Sequence, residues 1–226
     1  MSWRRFLLHL PLLVILLFLP CLTEAYDVRA PSSCGNILNI SHPFWLESDP
    51  QNCGEPEYQL HCVNNQTILN LYNGKYIVQA INYNKSTIRV TDSGVIKDDC
   101  SSIPQYTLTY HNFTNIGQPY SLLSGSNPDV IAFMSCTAEV ISPIYMDTAS
   151  CIKGFNSSNS SLISSTKYTY AVLGDLTISE LKDSCSIIVM AMTSNIDSGD
   201  QDLSYGNIHQ QLVVATCSFP SSLSLE

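Results

Sequence analysis

Beyond residue 25 the apolar positions recur mostly with a period of two. Tyr58-Gln-Leu60-His-Cys62, Ser86-Thr-Ile88-Arg-Val90-Thr and Tyr106-Thr-Leu108-Thr-Tyr110 alternate apolar and polar residues, and Tyr76-Ile-Val-Gln-Ala-Ile81 is rich in β-formers. Val130–Met134, Tyr168–Leu173, Ser186–Met192 and Gln211–Thr216 complete the set of expected strands. Turn residues punctuate them at Asn73-Gly74, Asp92-Ser-Gly94, Asn127-Pro128 and Asp197-Ser-Gly199. Many short strands at close spacing predict an all-β module, because a period of two puts one face of a strand on a core and the other in water. One short helix is expected at Leu176–Asp183, with Ser179 and Glu180 near its start. No heptad pattern and no solenoid repeat is visible.

The first 25 residues follow a different pattern. Arg4 and Arg5 precede an apolar run, Phe6–Leu19, broken only by His9 and Pro11, and Thr23-Glu24-Ala25 supplies a cleavage point. This is the layout of a signal peptide. The uninterrupted stretch Leu12–Leu19 is too short to cross a hydrocarbon layer that takes roughly 20 apolar residues. The next longest apolar run, Ser186–Met192, has the length of a buried strand, so the mature chain as written is expected to lack an anchor. The expected organisation is a signal peptide at 1–25, a linker at 26–33, an N-terminal module at 34–100 and a C-terminal cysteine-rich β region at 101–226. The fold class is mainly β, built of small disulfide-rich modules with short antiparallel strands and one short helix.

Cysteine content agrees with export. Cys21 leaves with the signal, and Cys34, Cys53, Cys62, Cys100, Cys136, Cys151, Cys185 and Cys217 remain. An even number in an exported chain predicts a disulfide framework, whose pairing the sequence leaves open. No metal site is expected, because the closest pair, Cys53 and Cys62, lacks the spacing of a zinc ligand set. N-x-S/T sequons at Asn39, Asn65, Asn84, Asn112, Asn156 and Asn159 predict glycosylation at some of these positions.

Charge and candidate chemistry narrow the function. Removal of the signal leaves 8 Lys and Arg against 18 Asp and Glu, a net charge of −10. Such a chain is a poor partner for nucleic acid, whose binding rests on cationic contacts to phosphate. No catalytic motif stands out. His42, His61, His111 and His209 are scattered, and the acidic clusters Asp98-Asp99 and Asp197/Asp200/Asp202 match neither an EF-hand nor a placed acid–base pair. The chain is therefore expected to be non-catalytic and to need no cofactor.

One stretch is informative. Cys34-Gly-Asn-Ile-Leu-Asn-Ile-Ser-His-Pro-Phe-Trp45 is followed by Cys53-Gly54-Glu-Pro-Glu-Tyr-Gln-Leu-His-Cys62, then Tyr76-Ile-Val-Gln-Ala-Ile, Ile88-Arg-Val and Cys100. Each Cys-Gly pair sets a bridge beside a residue free to take φ > 0, as a tight turn requires. Phe44 is expected in the core, and Trp45 either in the core or against a sugar ring. These elements, in this order, resemble the galacturonan-binding domain of plant wall-associated receptor kinases and their leaf-rust-resistance-type relatives. Residues 101–226 are similar, more loosely, to the cysteine-rich region that follows it. Two features depart from that pattern. The stretch before Cys34 lacks the family's extra cysteine, and the chain ends at Glu226 without transmembrane or kinase parts. A short secreted relative and a truncated receptor ectodomain both stay open, and the Ser/Leu-rich ending favours truncation.

The resemblance implies an extracellular, cell-wall-facing module, tethered at a membrane if the chain is a truncated ectodomain. It implies pectic polysaccharide (galacturonan) as ligand and a membrane receptor as a further partner. Galacturonan is polyanionic, so a chain at −10 needs a local cationic patch. Four cations, Lys75, Lys85, Arg89 and Lys97, fall within one stretch. If Tyr76–Ile81 and Ser86–Thr91 pair as a hairpin, Lys75 lies beyond its open end near Lys97, and Arg89 projects from one face to hold a carboxylate through two hydrogen bonds. Trp45, Tyr83 or Tyr72 would stack on the sugar. A glycan at Asn84 would crowd such a patch. The alternative function is a receptor-type ectodomain that binds a protein or peptide ligand without sugar affinity.

Overall fold

The structure, a computed structural model, describes residues 31–50, 55–114, 118–122, 129–152, 168–193, 204–212 and 215–220. The signal segment, Cys53, Asn156, Asn159 and the acids Asp197, Asp200 and Asp202 lie outside them. In chain order the strands are β1 (Ser32–Cys34), β2 (Ile37–Ile40), β3 (Trp45–Leu46), β4 (Gln59–Val63), β5 (Gln66–Leu71), β6 (Gly74–Asn82) and β7 (Thr87–Asp92). There follow β8 (Ser121–Leu122), β9 (Val130–Cys136), β10 (Tyr145–Asp147), β11 (Tyr168–Leu173), β12 (Cys185–Met192), the helix α1 (Tyr205–Gln211) and β13 (Ala215–Ser218). The fold is mainly β, as the alternation predicts.

Seven strands form the larger sheet, in the order β3-β4-β5-β6-β7-β13-β8. Strands β4 to β7 form a meander joined by tight turns. Asn64 and Asn65 (φ 49° and 62°) link β4 to β5, and Tyr72 and Asn73 (φ 47° and 66°) link β5 to β6. Two-residue turns with both φ positive match the twist of the paired strands. Asn tolerates that conformation. Tyr72 does not adopt it readily, and its ring is held edge-on to Phe113 at 5.4 Å. One face of the meander closes a core around Leu60, Leu69, Ile88 and Val90. Phe44 is buried there as expected, with edge contacts to Phe219 at 4.9 Å and Tyr58 at 5.7 Å.

The smaller sheet has the order β10-β11-β9-β12. Its central strand β9 is buried on both faces. Ile131 and Phe133 pack with Tyr205, Ile208 and Leu212 from the α1 segment, and Met134 packs with Tyr145, Tyr170 and Val172 on the other side. The division expected near residue 100 does not separate the two sheets in sequence. β8 and β13 come from beyond it, yet β13 pairs with β7 and β8 inside the larger sheet.

Several expectations are corrected. Leu176–Asp183 is not a helix. Thr177 and Glu180 make a single turn, in which the Glu180 carboxylate takes the Thr177 N–H (2.8 Å) and hydroxyl (2.7 Å), and the chain then enters β12. Among the described residues the helix is α1 instead, so Gln211 ends a helix, and of the expected last strand Ala215 and Thr216 are extended, at the start of β13. Tyr106–Tyr110 makes only a bridge from Leu108 to Ala191, because the Asp92 carboxylate takes the N–H groups of Gln105 and Tyr106. Ser32 and Ser33, read as linker, belong to β1.

Among the described residues three disulfides are formed, Cys34–Cys62, Cys100–Cys151 and Cys136–Cys185. In the chain-entropy account, sequence separations of 28, 51 and 49 residues make each worth about 4 kcal/mol. Cys217, expected to be bridged, is a free buried thiol. It stands on β13 opposite Ile88 of β7 and Leu122 of β8, where its side chain enters the apolar core. Burial pushes its pKa up to about 12. Gly35, the residue after the first bridged cysteine, has φ +57°, and a Cβ there would lie 2.1 Å from the Asn65 carbonyl oxygen. That position accepts glycine alone.

Candidate functional site

Strand register determines which side chains share the face of the larger sheet that points away from the core. Trp45 pairs with Gln59, Leu60 with Leu69, and Asn70 with Lys75. Gln59 therefore stands opposite Asn70, and Trp45, Gln59, Asn70 and Lys75 form one row across β3, β4, β5 and β6. With strands about 4.8 Å apart, the backbones of Trp45 and Lys75 are about 14 Å apart. A second row holds His61, Ile68, Ile77 and Thr91. Arg89 sits one strand over from Lys75 and four residues along, again about 14 Å away at strand rise. It pairs with Ala80 and Thr216 and is exposed, while its neighbours Ile88 and Val90 are fully buried on the opposite face. The outer face is open over Asn70, Lys75 and Gln79 and closed at Thr91, which is buried.

The hairpin β6–β7 forms as the sequence predicts, and it divides the four cations. Lys75 begins β6, and the Ser93 N–H donates to its carbonyl at 3.1 Å, so the segment that carries exposed Lys97 starts beside it. Lys75 and Lys97 thus share the open end. Lys85 lies in the β6–β7 turn at the opposite end, where its N–H donates to Asn82 Oδ1 at 3.0 Å. Lys75 and the start of the Lys97 segment lie at the open end, Lys85 lies in the turn at the other end, and Arg89 stands between them on the outer face, two register pairs from that turn.

No carboxylate among the described residues pairs with these cations. Among the described residues the one ion pair within 4.0 Å is His61–Glu47, at 2.8 Å. The carboxylates are occupied instead by N–H and O–H donors. Asp49 takes the Leu46 N–H (2.8 Å) and the Ser32 hydroxyl (2.7 Å), and Asp92 takes the N–H groups of Gly94, Gln105 and Tyr106 at 2.7–3.0 Å. The Ser101 hydroxyl and N–H hold the Asp99 pKa below its usual value, and Thr177 does the same for Glu180. Several acids are thus engaged by donors in their own turns, while Lys75, Arg89 and Lys97 have no carboxylate within 4.0 Å among the described residues.

The aromatic candidates separate. Trp45 is half-buried, and its Nε1–H donates to the Glu55 carbonyl at 2.8 Å, which fixes the indole at the edge of the outer row. Tyr83 is committed to packing. Its hydroxyl accepts from the Ser41 N–H (2.8 Å) and donates to the Ser41 carbonyl (3.2 Å), and its ring lies edge-on to Phe44 and Phe219. Gln59 and Asn70, which lie between Trp45 and Lys75, were not singled out from the sequence. In β5 burial alternates residue by residue and leaves Gln66 and Asn70 exposed, which the adjacent apolar Ile68-Leu69 does not show in the sequence. The histidines do not converge. His61 pairs with Glu47, while buried His209 holds the Ser102 carbonyl at 2.8 Å. No group of three or more potential metal ligands occurs among the described residues. Among them, too, no helix is long and apolar enough to cross a membrane.

Comparison with known proteins finds similarity over the part of the chain that carries β1 to β7. Residues 30–92 match the family model described as wall-associated receptor kinase galacturonan-binding. The chain is 33% identical over 87 residues to LEAF RUST 10 disease-resistance locus receptor-like protein kinase-like 2.4 of Arabidopsis thaliana, a match covering 37% of this chain and 14% of the relative. It is 37% identical over 78 residues to the kinase-like 2.8 protein of the same plant, covering 34% of this chain and 8% of the relative. The kinase-like 1.2 protein matches at 31% over 93 residues, 40% of this chain and 14% of the relative. The matched stretch is thus a seventh or less of the length of these relatives. No solved structure matches.

Proposed function

Starting from the premise that residues 30–92 form a domain of the wall-associated receptor kinase galacturonan-binding type, we propose that the protein is an extracellular, non-catalytic recognition module for pectin-type polysaccharide. The ligand lies across the outer face of the larger sheet, toward its Trp45–Lys75 end. The observation that carries this reading is the set of exposed cations, Lys75, Arg89 and Lys97, that have no carboxylate partner among the described residues, in a chain of net charge −9. Arg89 offers a planar fork of donors to a uronate carboxylate, and the lysines act as point charges. Gln59 and Asn70 supply amide donors and acceptors for sugar hydroxyls. The half-buried Trp45 indole offers an apolar edge to a pyranose ring. Three disulfides fit a chain that works in an oxidising compartment outside the cytosol.

The experiment is retention on immobilised polygalacturonate across a salt series, with the methyl-esterified polymer as control. Esterification removes the carboxylate charge and keeps the sugar. The reading predicts retention on the acidic polymer at low salt, weaker retention on the ester, and release as salt rises, because exposed charge pairs are screened beyond about 8 Å at physiological ionic strength. No retention on the acidic polymer at low salt, with or without calcium, contradicts it.

A further inference from the structure

We propose that Asn39, Asn65 and Asn84 carry N-linked glycans that together cap one end of the larger sheet and leave the Trp45–Lys75 end bare. The topology sets this up. The β4–β5 turn and the β6–β7 turn lie at the same end of the meander, and the β5–β6 turn lies at the other end beside Lys75. Asn65 is in the first of these turns and Asn84 is in the second. Asn39 belongs to the same end because β2 is strung between them. At its start Gly35 packs against the Asn65 carbonyl, and the Thr67 hydroxyl donates to the Cys34 carbonyl at 2.9 Å. At its finish Ser41 is hydrogen-bonded to the Tyr83 hydroxyl, next to Asn84.

All three asparagines are exposed. Beside two of them stand large apolar side chains in water. Leu38, next to Asn39, is 68% exposed, and Val63, two residues before Asn65, is 51% exposed. A glycan on Asn65 would cover Val63, which otherwise adds to contact-prone area. Asn112 has the same sequon but a different setting. It is half-buried in a 3₁₀ turn, and its Oδ1 caps the turn by taking the Thr109 N–H at 2.8 Å. Its half-buried setting is the ground on which it is expected to stay unmodified.

The modification needs an oligosaccharide carried on a lipid diphosphate, the donor class of the secretory route. The Asn Nδ2 forms a bond to the sugar C1, and the C1–O bond to the diphosphate breaks. The lipid diphosphate leaves with its electron pair, and the amide gives up one proton. Hydroxyls of Ser41, Thr67 and Ser86 complete the three sequons.

The glycan assignment stands without the ligand reading, and only the role of the bare end rests on it. The test is glycopeptide mapping of the full chain secreted from plant cells, with glycans released enzymatically in ¹⁸O-water. The proposal expects the isotope at Asn39, Asn65 and Asn84 in most molecules and not at Asn112. Any of the three left unmodified in most molecules, or Asn112 modified as heavily, overturns it. The second arm measures polygalacturonate retention of the triple Asn→Gln variant at these positions, with wild type deglycosylated after folding as the companion if the variant does not fold. Retention within about twofold of wild type supports a bare binding end, and a loss of about tenfold or more overturns it. If the glycosylated wild type is not retained at all, the ligand reading fails alone and the mapping still decides the cap.

Discussion

The two sheets use similar strands for opposite ends. In the smaller sheet β9 reads Val-Ile-Ala-Phe-Met-Ser-Cys and is buried at every position but one, because helix and loops cover both faces. In the larger sheet β5 and the first half of β6 alternate between buried and open positions, so one face is core and the other faces solvent. A strand buried on both sides has no position left for recognition, and its sequence shows this as a continuous apolar run. An alternating strand offers every second side chain to a ligand at a fixed spacing without any change in the fold. The difference teaches where to look: the site candidates lie on the alternating sheet, and the continuous run contributes stability.

The largest effect that tests this contrast is in the smaller sheet. Phe133 is 1% exposed and lies edge-on to Tyr205 at 6.1 Å. Phe133→Ala is expected to cost about 3–5 kcal/mol in denaturant unfolding. Polygalacturonate retention of the remaining folded protein should be unchanged. A binding loss without a stability loss would break the division of labour between the sheets.

A smaller effect is expected in the turn of the hairpin formed by β1 and β2, which pair antiparallel and meet the larger sheet at Gly35. Gly35→Ala places a Cβ against the Asn65 carbonyl in a conformation that L residues avoid. The expected cost is at least about 1 kcal/mol, read as a lower thermal midpoint. An unchanged midpoint would mean that the hairpin is not seated on the β4–β5 turn.

Cys217 gives a prediction about chemistry alone. The thiolate is the reactive form, and a pKa pushed up to about 12 leaves almost none of it at pH 8. Native protein should resist iodoacetamide at that pH and take it up at Cys217 once unfolded, as read by peptide mass. Labelling of the native protein at the rate of an exposed thiol would contradict the placement of β13 inside the larger sheet.

The sequence shows much of this contrast, and the rest was hidden for identifiable reasons. The hairpin of β6 and β7 was legible because Tyr76–Ile81 and Ser86–Thr91 combine β-branched residues with turn signals. The family resemblance was legible because its residues are turn and core residues, Gly35 and Phe44 among them. β5 was less so, because its flanking turns are built from Asn64-Asn65 and Tyr72-Asn73 with φ > 0 at residues other than glycine. The helix was misplaced because Leu176–Asp183 contains the local start signal, whereas α1 contains Gly206 and Asn207 and depends on burial of Tyr205, Ile208 and His209. Trp45 and Lys75 belong to one row only through the register of four strands, which no local pattern reveals. Tyr83 looked like a stacking platform because nothing in the sequence shows that Ser41 occupies its hydroxyl.

The smallest expected effect on stability carries the greatest weight for function. Lys75→Ala/Arg89→Ala replaces two exposed side chains and should change unfolding free energy by no more than about 0.5 kcal/mol for each. The decisive measurement is its retention on immobilised polygalacturonate at low salt, beside Lys85→Ala, which removes a cation from the other end of the same hairpin. The account predicts that the double variant is lost from the polymer and that Lys85→Ala is retained like wild type. Equal retention of the double variant and wild type, with both folded, would contradict it.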